Sequence, residues 1–209
     1  MVDNEAAALV IENIAMLEDA MALANGELGE EVFAEIDRVI CHWADARGWK
    51  GKFSFWDDET SLWATEWVRI GEGEEQWIAW FELDAEDPDE DTWLTRLLGA
   101  RRGRIGFAFH ADLGAGKPAW KRFAREFHQA HPEIEKSGFE YNDKDGSWFL
   151  PFKVQAKALA EAYANDALDD AMEPLRDALE RVGSVYPTFA ELVEAGKRKF
   201  VSESAASPL

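Results

Sequence analysis

The chain has 209 residues, enough for one generous domain, and its 47% apolar content supports a buried core and weighs against global disorder. A single cysteine, Cys41, excludes an intramolecular disulfide and a four-cysteine zinc site and suits a reducing compartment. The formal net charge of -20 disfavours direct contact with nucleic acid or anionic membranes; with no secretory leader after Met1 and no apolar run near the roughly 18 residues of a spanning helix, a cytoplasmic protein is expected.

Residues 5–24 read as an amphipathic helix, because Val10, Ile14, Leu17 and Met21 recur at four, three and four. Asn25-Gly26 stops it, and residues 30–47 form a second helix striped by Val32, Phe33, Ile36, Val39, Ile40 and Trp43. The short link favours an antiparallel pair, a helical hairpin over 5–48. The apolar period then shortens from about 3.6 to 2, the mark of sheet. Phe53 to Trp56 is a short strand, followed by a turn at Asp57-Asp58-Glu59 and an alternating strand from Leu62 to Ile70. Gly71-Glu72-Gly73 turns the chain into a further strand, Trp77 to Leu83; loops this short imply an antiparallel meander.

Residues 91–98 suit a short helix capped by Asp91 and ended by Gly99. Ile105, Phe107 and Phe109 alternate as a strand. A glycine-rich loop, Gly114-Ala115-Gly116, leads through Lys117 and Pro118 into a helix to about Ala130. Phe139 to Tyr141 and Trp148 to Phe152 flank a hairpin turn. From Val154 the period is helical through Val182, with Pro174 marking a kink or a junction of two helices. Thr188 to Glu191 has the capping-box pattern of a last helix reaching about Ala195, and residues 202–209 read as a flexible tail. The expected fold is α+β: an antiparallel sheet of about five or six strands against an N-terminal helical hairpin and C-terminal helices, one domain over residues 1–201.

Charge is unevenly distributed. Residues 1–48 carry -9 and residues 49–95 carry -11, whereas residues 96–125 carry +7. Glu82, Asp84, Glu86, Asp87, Asp89, Glu90 and Asp91 place seven carboxylates within ten residues. The glycine and glutamate of a calcium loop are missing there, so a solvated acidic loop is expected and no metal is assigned. Arg101, Arg102, Arg104 and Lys117 in the basic island are candidates for anion binding. Pairing between this island and the Glu82–Asp91 run is the cheaper explanation of both.

Other patterns stop short of a catalytic signature. His110-x-Asp112 ends a strand beside the glycine-rich loop, but no nucleophile accompanies it. The Gly114–Lys117 loop departs from a phosphate-binding loop at Ala111 and Pro118. His128 and His131 have the spacing of a metal pair, but Pro132 ends the helix that would align them. No cofactor is expected.

Ten tryptophans are many for this length, and eight fall between Trp43 and Trp93. If Leu62, Val68 and Ile70 face the core, Trp63 and Trp67 point away from it, under the helices or in a binding surface. The reading that follows is a binding or inhibitory protein. Trp63, Trp67 and the Glu82–Asp91 carboxylates would engage a basic protein, in the sharpest version a nucleic-acid-binding protein met by charge mimicry. An enzyme with a pocket near His110, Asp112 and Gly114–Lys117, and a structural subunit of a homo-oligomer, are the alternatives.

Overall fold

A computed structural model describes residues 4–71, 74–86 and 91–201. Two helices open the chain, α1 (Asn4–Glu12) and α2 (Ile14–Asn25). They meet at Asn13, where Asn13 N–H still donates to Leu9 O (3.2 Å) and Leu17 N–H to Asn13 O (3.0 Å), so the helical register carries through. After Gly26, α3 (Glu27–Ala46) buries Val32, Phe33, Ile36, Val39, Ile40 and Trp43, the stripe its spacing dictates. Gly48, at φ +67°, ends it in the left-handed conformation that glycine adopts without steric cost.

The strands are β1 (Lys50–Phe53), β2 (Thr60–Trp63), β3 (Val68–Gly71), β4 (Glu74–Trp77) and β5 (Ala79–Glu86); then, beyond the short helix α4 (Trp93–Leu97), comes β6 (Arg104–Ala111). Helices α5 (Lys117–Ala130) and α6 (Pro132–Lys136) follow, and β7 (Glu140–Asn142) and β8 (Ser147–Phe152) form a hairpin. Helix α7 (Ala156–Ala164), a 3-10 turn at Leu168–Ala171 and the long α8 (Glu173–Gly196) complete the fold. Six strands make one antiparallel sheet in the order β1-β2-β5-β6-β8-β7, while β3 and β4 pair as a separate ribbon. The α+β architecture with N- and C-terminal helices is as the sequence indicates.

One face of the sheet is the core. Register places Leu62, Phe81, Phe109 and Trp148 across it in one row and Leu83, Phe107 and Leu150 in the next. Phe189 of α8 seals this face: it stacks on Phe109 at 4.3 Å and meets Phe81, Phe139 and Trp148 edge-on at 5.4, 5.2 and 5.6 Å. Each such side chain contributes about 1.5–3 kcal/mol by leaving water. Gly106 lets β6 and β8 approach closely, since a Cβ there would lie 2.3 Å from Leu150 O.

Several boundaries differ from the sequence reading, each for a local reason. The first strand begins at Lys50; Phe55 and Trp56 fall in the turn beyond it, because the Asp37 carboxylate accepts hydrogen bonds from Phe55 N–H (2.8 Å) and from the Thr60 hydroxyl. The continuous strand expected from Leu62 to Ile70 is interrupted by a 3-10 turn, Thr65–Trp67. The strand expected from Trp77 to Leu83 breaks at Ile78, which donates to Trp67 O (2.7 Å) and accepts from Asp112 N–H (2.8 Å). Thr92, not Asp91, caps α4, its hydroxyl accepting from Thr95 N–H. Pro174 sits in the first turn of α8, so the chain forms two helices there and not one kinked helix. No new helix starts at Thr188: α8 runs through Pro187 to Gly196. The expected tail at 202–209 lies outside the described residues. No helix among the described residues is long and apolar enough to cross a membrane.

Candidate functional site

The residues singled out for partner binding divide among three environments. Trp63 and Trp67 are 7% and 1% exposed, so the exposed aromatic pair is not formed. The 3-10 turn between them breaks the alternation and sends the two indoles to different neighbours. Trp67 packs between Trp49, Phe81, Phe109 and Tyr186 in the core, whereas Trp63 stacks on Trp77 of the ribbon at 4.7 Å. Glu82, Asp84 and Glu86 alternate along β5 on the face opposite the core. There Trp80 Nε1–H donates to Glu82 (3.1 Å), and His110, stacked on Trp80, lies 3.5 Å from the same carboxylate oxygen. Asp87, Asp89 and Glu90 lie outside the described residues. Asp91 accepts from Gly103 N–H (3.2 Å) and stands 3.9 Å from Arg101.

The basic island is spent partly on the protein itself. Arg104 pairs with Glu86 and, bidentately at 2.8 Å, with Glu140, whose carboxyl it holds below the ordinary glutamate range. Arg125 makes a two-pronged pair with Asp143. Arg96 is buried, its guanidinium 4.7 Å from the Trp93 ring. Lys117 does not join Arg101, Arg102 and Arg104, because it opens α5 beyond the far end of β6, an eight-residue strand about 25 Å long. The proposed anion site therefore loses Lys117. Lys153, which the linear charge map did not single out, stands instead beside Arg96, Arg101, Arg102 and Arg104 around a cavity of about 410 Å³.

The features that suggested an enzyme are dispersed. Asp112 Oδ1 accepts from Gly114 N–H (3.3 Å) and lines a cleft with Arg69, Leu113, Lys197 and Arg198, while His110 is engaged with Trp80 and Glu82. His128 stacks on Tyr141 at 4.4 Å, and His131 on Phe127 at 4.0 Å, so the two imidazoles serve different partners.

A denser acidic surface surrounds α3. Its solvent side presents Glu27, Glu30, Glu31 and Asp45 against one guanidinium of the same helix, Arg38, which Glu35 and Asp169 already bind at 2.6 Å each; Asp169 also binds Arg176 of α8. Grooves run along both sides of this ridge. One, of about 660 Å³, is lined by Glu31, Glu35, Asp166 and Asp169 together with Tyr163 and Leu168. The other, of about 410 Å³, is lined by Glu30, Asp37, Asp57, Phe53 and Trp56. Burial pushes the Asp37 carboxyl above its ordinary value, against the opposing pull of its bonds from Thr60 and Phe55. Helical spacing already aligns Glu27, Glu30 and Glu31; the approach of Asp166 and Asp169, more than a hundred residues away, has no local signal.

The helices α1 and α2 bury no residue. Leu9, Val10, Ile11, Ile14, Met16, Leu17, Met21 and Leu23 are all exposed, from 39% at Leu17 to 74% at Ile11. The chain matches no protein-family model, no curated protein and no solved structure.

Proposed function

We propose that the protein is a binding or inhibitory protein whose acidic α3 surface engages a basic protein, in its sharpest form the nucleic-acid-binding surface of that partner. The observation that carries this reading is the pair of carboxylate-lined grooves flanking α3, with Arg38 between them already neutralised. Arginine or lysine side chains of a partner fit such grooves: the aliphatic stem lies against Tyr163 and Leu168, or against Phe53 and Trp56, and the charge meets carboxylates at the rim. The Glu82–Asp91 run is a weaker candidate, since Glu86 and Asp91 already face the protein's own cations.

The test is binding of a fluorescent nona-arginine peptide at low and moderate salt. Replacing Glu30, Glu31, Asp57 and Asp166 together by their amides should weaken binding by about tenfold or more, roughly 1.4 kcal/mol, and flatten its salt dependence. Affinity indifferent to both salt and these substitutions defeats the proposal.

A second reading, a subunit of a homo-oligomer, is favoured by the exposed N-terminal helices, not by the aromatic sheet. A second copy is the occupant with the best fit. Val10, Ile14, Leu17 and Met21 are 39–52% exposed and share one helical face, which nothing described covers. Val10, Ile14, Leu17 and Met21 form a four-three-four seam. In a parallel pair, Asn13 of one helix meets Glu18 of the other across that seam, with no like-charge clash. Sedimentation of the full chain should show a dimer whose thermal midpoint rises with concentration, and Leu17→Glu a monomer whose midpoint does not. A parent chain that sediments as a monomer at about 100 μM, where even a micromolar dimer is populated, rules this out.

A further inference from the structure

We propose that the cavity at the end of the sheet, between the loop joining α4 to β6 and the end of β8, binds a small organic phosphate. It is lined by Arg96, Arg101, Arg102, Arg104 and Lys153, with Gly99, Pro151 and Phe152. Its volume of about 410 Å³ lies within the range of small-molecule sites, roughly 300–1,000 Å³. The grooves beside α3 hold one cation, Arg38, and the cleft at Asp112 holds three, against five here.

The five differ in their commitments. Arg104 is committed to Glu86 and Glu140, and Arg96 lies on Trp93, so these two form a fixed, positively charged wall. Arg101 is exposed, with Asp91 at a loose 3.9 Å. Arg102 and Lys153 are exposed and make no ion pair with a described residue. Three exposed cations therefore stand beside two that are already held by partners.

The backbone holds the loop open in this shape. Gly99, at φ +57°, turns the chain out of α4, and a Cβ there would press within 3.2 Å of the Lys153 side chain. Asp91 grips Gly103 N–H, and Val154 N–H donates to Leu97 O at 2.9 Å, tying the exit of β8 to α4. Loop and strand thus both contribute cations to the lining of one cavity.

Arginine forks bind phosphate oxygens bidentately, and a phosphomonoester carries about -1.5 to -2 charge at neutral pH, which two or three unpaired cations match better than they match a monocarboxylate. Phe152, half-buried and stacked on Phe107 at 5.8 Å, supplies an apolar wall for the organic part. A soluble ligand suits the site better than a phosphate-bearing lipid, because the chain's -20 charge repels an anionic bilayer.

Calorimetric titration of the full chain with adenosine monophosphate, inorganic phosphate and adenosine tests this at low ionic strength. The nucleotide should bind saturably and about tenfold more tightly than phosphate, with adenosine silent. The double variant Arg102→Ala/Lys153→Ala should lose about tenfold in affinity for either phosphate with an unchanged thermal midpoint, since both side chains are exposed and pair with no described residue. The control Lys121→Ala/Arg122→Ala, on the same basic island but outside the cavity, should bind as the parent does. Absence of saturable heat with both phosphates up to about 10 mM overturns the proposal. So does equal weakening by the control pair, or binding to phosphatidic acid vesicles in preference to the soluble nucleotide.

Discussion

Asp37 shows how one side chain sets a local path. It projects from α3 into the turn between β1 and β2, accepts from Phe55 N–H and the Thr60 hydroxyl, and is 9% exposed. Asp37→Asn turns an amide donor toward one of those two donors, so it should cost about 1–3 kcal/mol in urea unfolding. Burial raises the carboxyl above its ordinary value of 3.8, so the folded state holds this proton more tightly than the unfolded one. The resulting stability is present below that value and lost as pH rises through the raised one. The gap between parent and variant should accordingly narrow with rising pH from about 4, and a gap that stays level shows that desolvation does not dominate. Nothing in the sequence marks Asp37 among 42 acidic residues, because its role exists only once the turn has folded over it. Trp63 and Trp67 were legible as an important pair and misread in their exposure: a spacing of four suggested one face only as long as the strand continued, and the 3-10 turn ends it.

At the scale of elements, periodicity located most helices and the central strand, and it was least informative where tertiary packing overrode a local signal. Pro187 followed by Thr188-x-x-Glu191 looks like a helix break and restart. Yet α8 continues, because Val182, Val185, Phe189, Leu192 and Val193 are all buried against the sheet and its neighbours, and interrupting the helix would expose some of them. Pro187 itself is exposed and donates nothing to Gly183 O. Pro187→Ala should therefore stabilise the protein by about 1–3 kcal/mol, measured as a higher urea midpoint at constant slope. A loss of stability instead means that the proline shapes the seat of Phe189. The opposite case is α1 and α2, where the amphipathic pattern indicates helix but the apolar face finds no core among the described residues. Sequence periodicity specifies that a face will be buried without specifying by what.

For the whole molecule, the charge map along the chain survived folding only in part. Arg101 and Arg104 do face Asp91 and Glu86, as linear neighbours of opposite sign suggested, but α3 and the Asp166–Asp169 segment concentrate acidity where no window of sequence would. With 42 acids against 22 bases, internal pairing leaves a large self-repulsion. Raising sodium chloride from about 20 to 500 mM should screen it and lift the thermal midpoint by roughly 2–4 °C for each kcal/mol relieved. A midpoint that falls with salt shows that ion pairs such as those of Arg104 and Arg38 outweigh the repulsion. The two-stranded ribbon docks on the sheet by stacking Trp77 on Trp63, with the Lys52 ammonium 5.2 Å from the Trp77 ring, while Val68 packs against the core. Two indoles held this close share their electronic excitation, so their near-ultraviolet circular dichroism carries a paired, opposite-signed band that neither ring gives alone. Trp77→Phe should therefore remove the share of the signal that reports ribbon docking and leave in place the shares of Trp43–Trp49 and Trp49–Trp67, 5.4 and 6.1 Å apart.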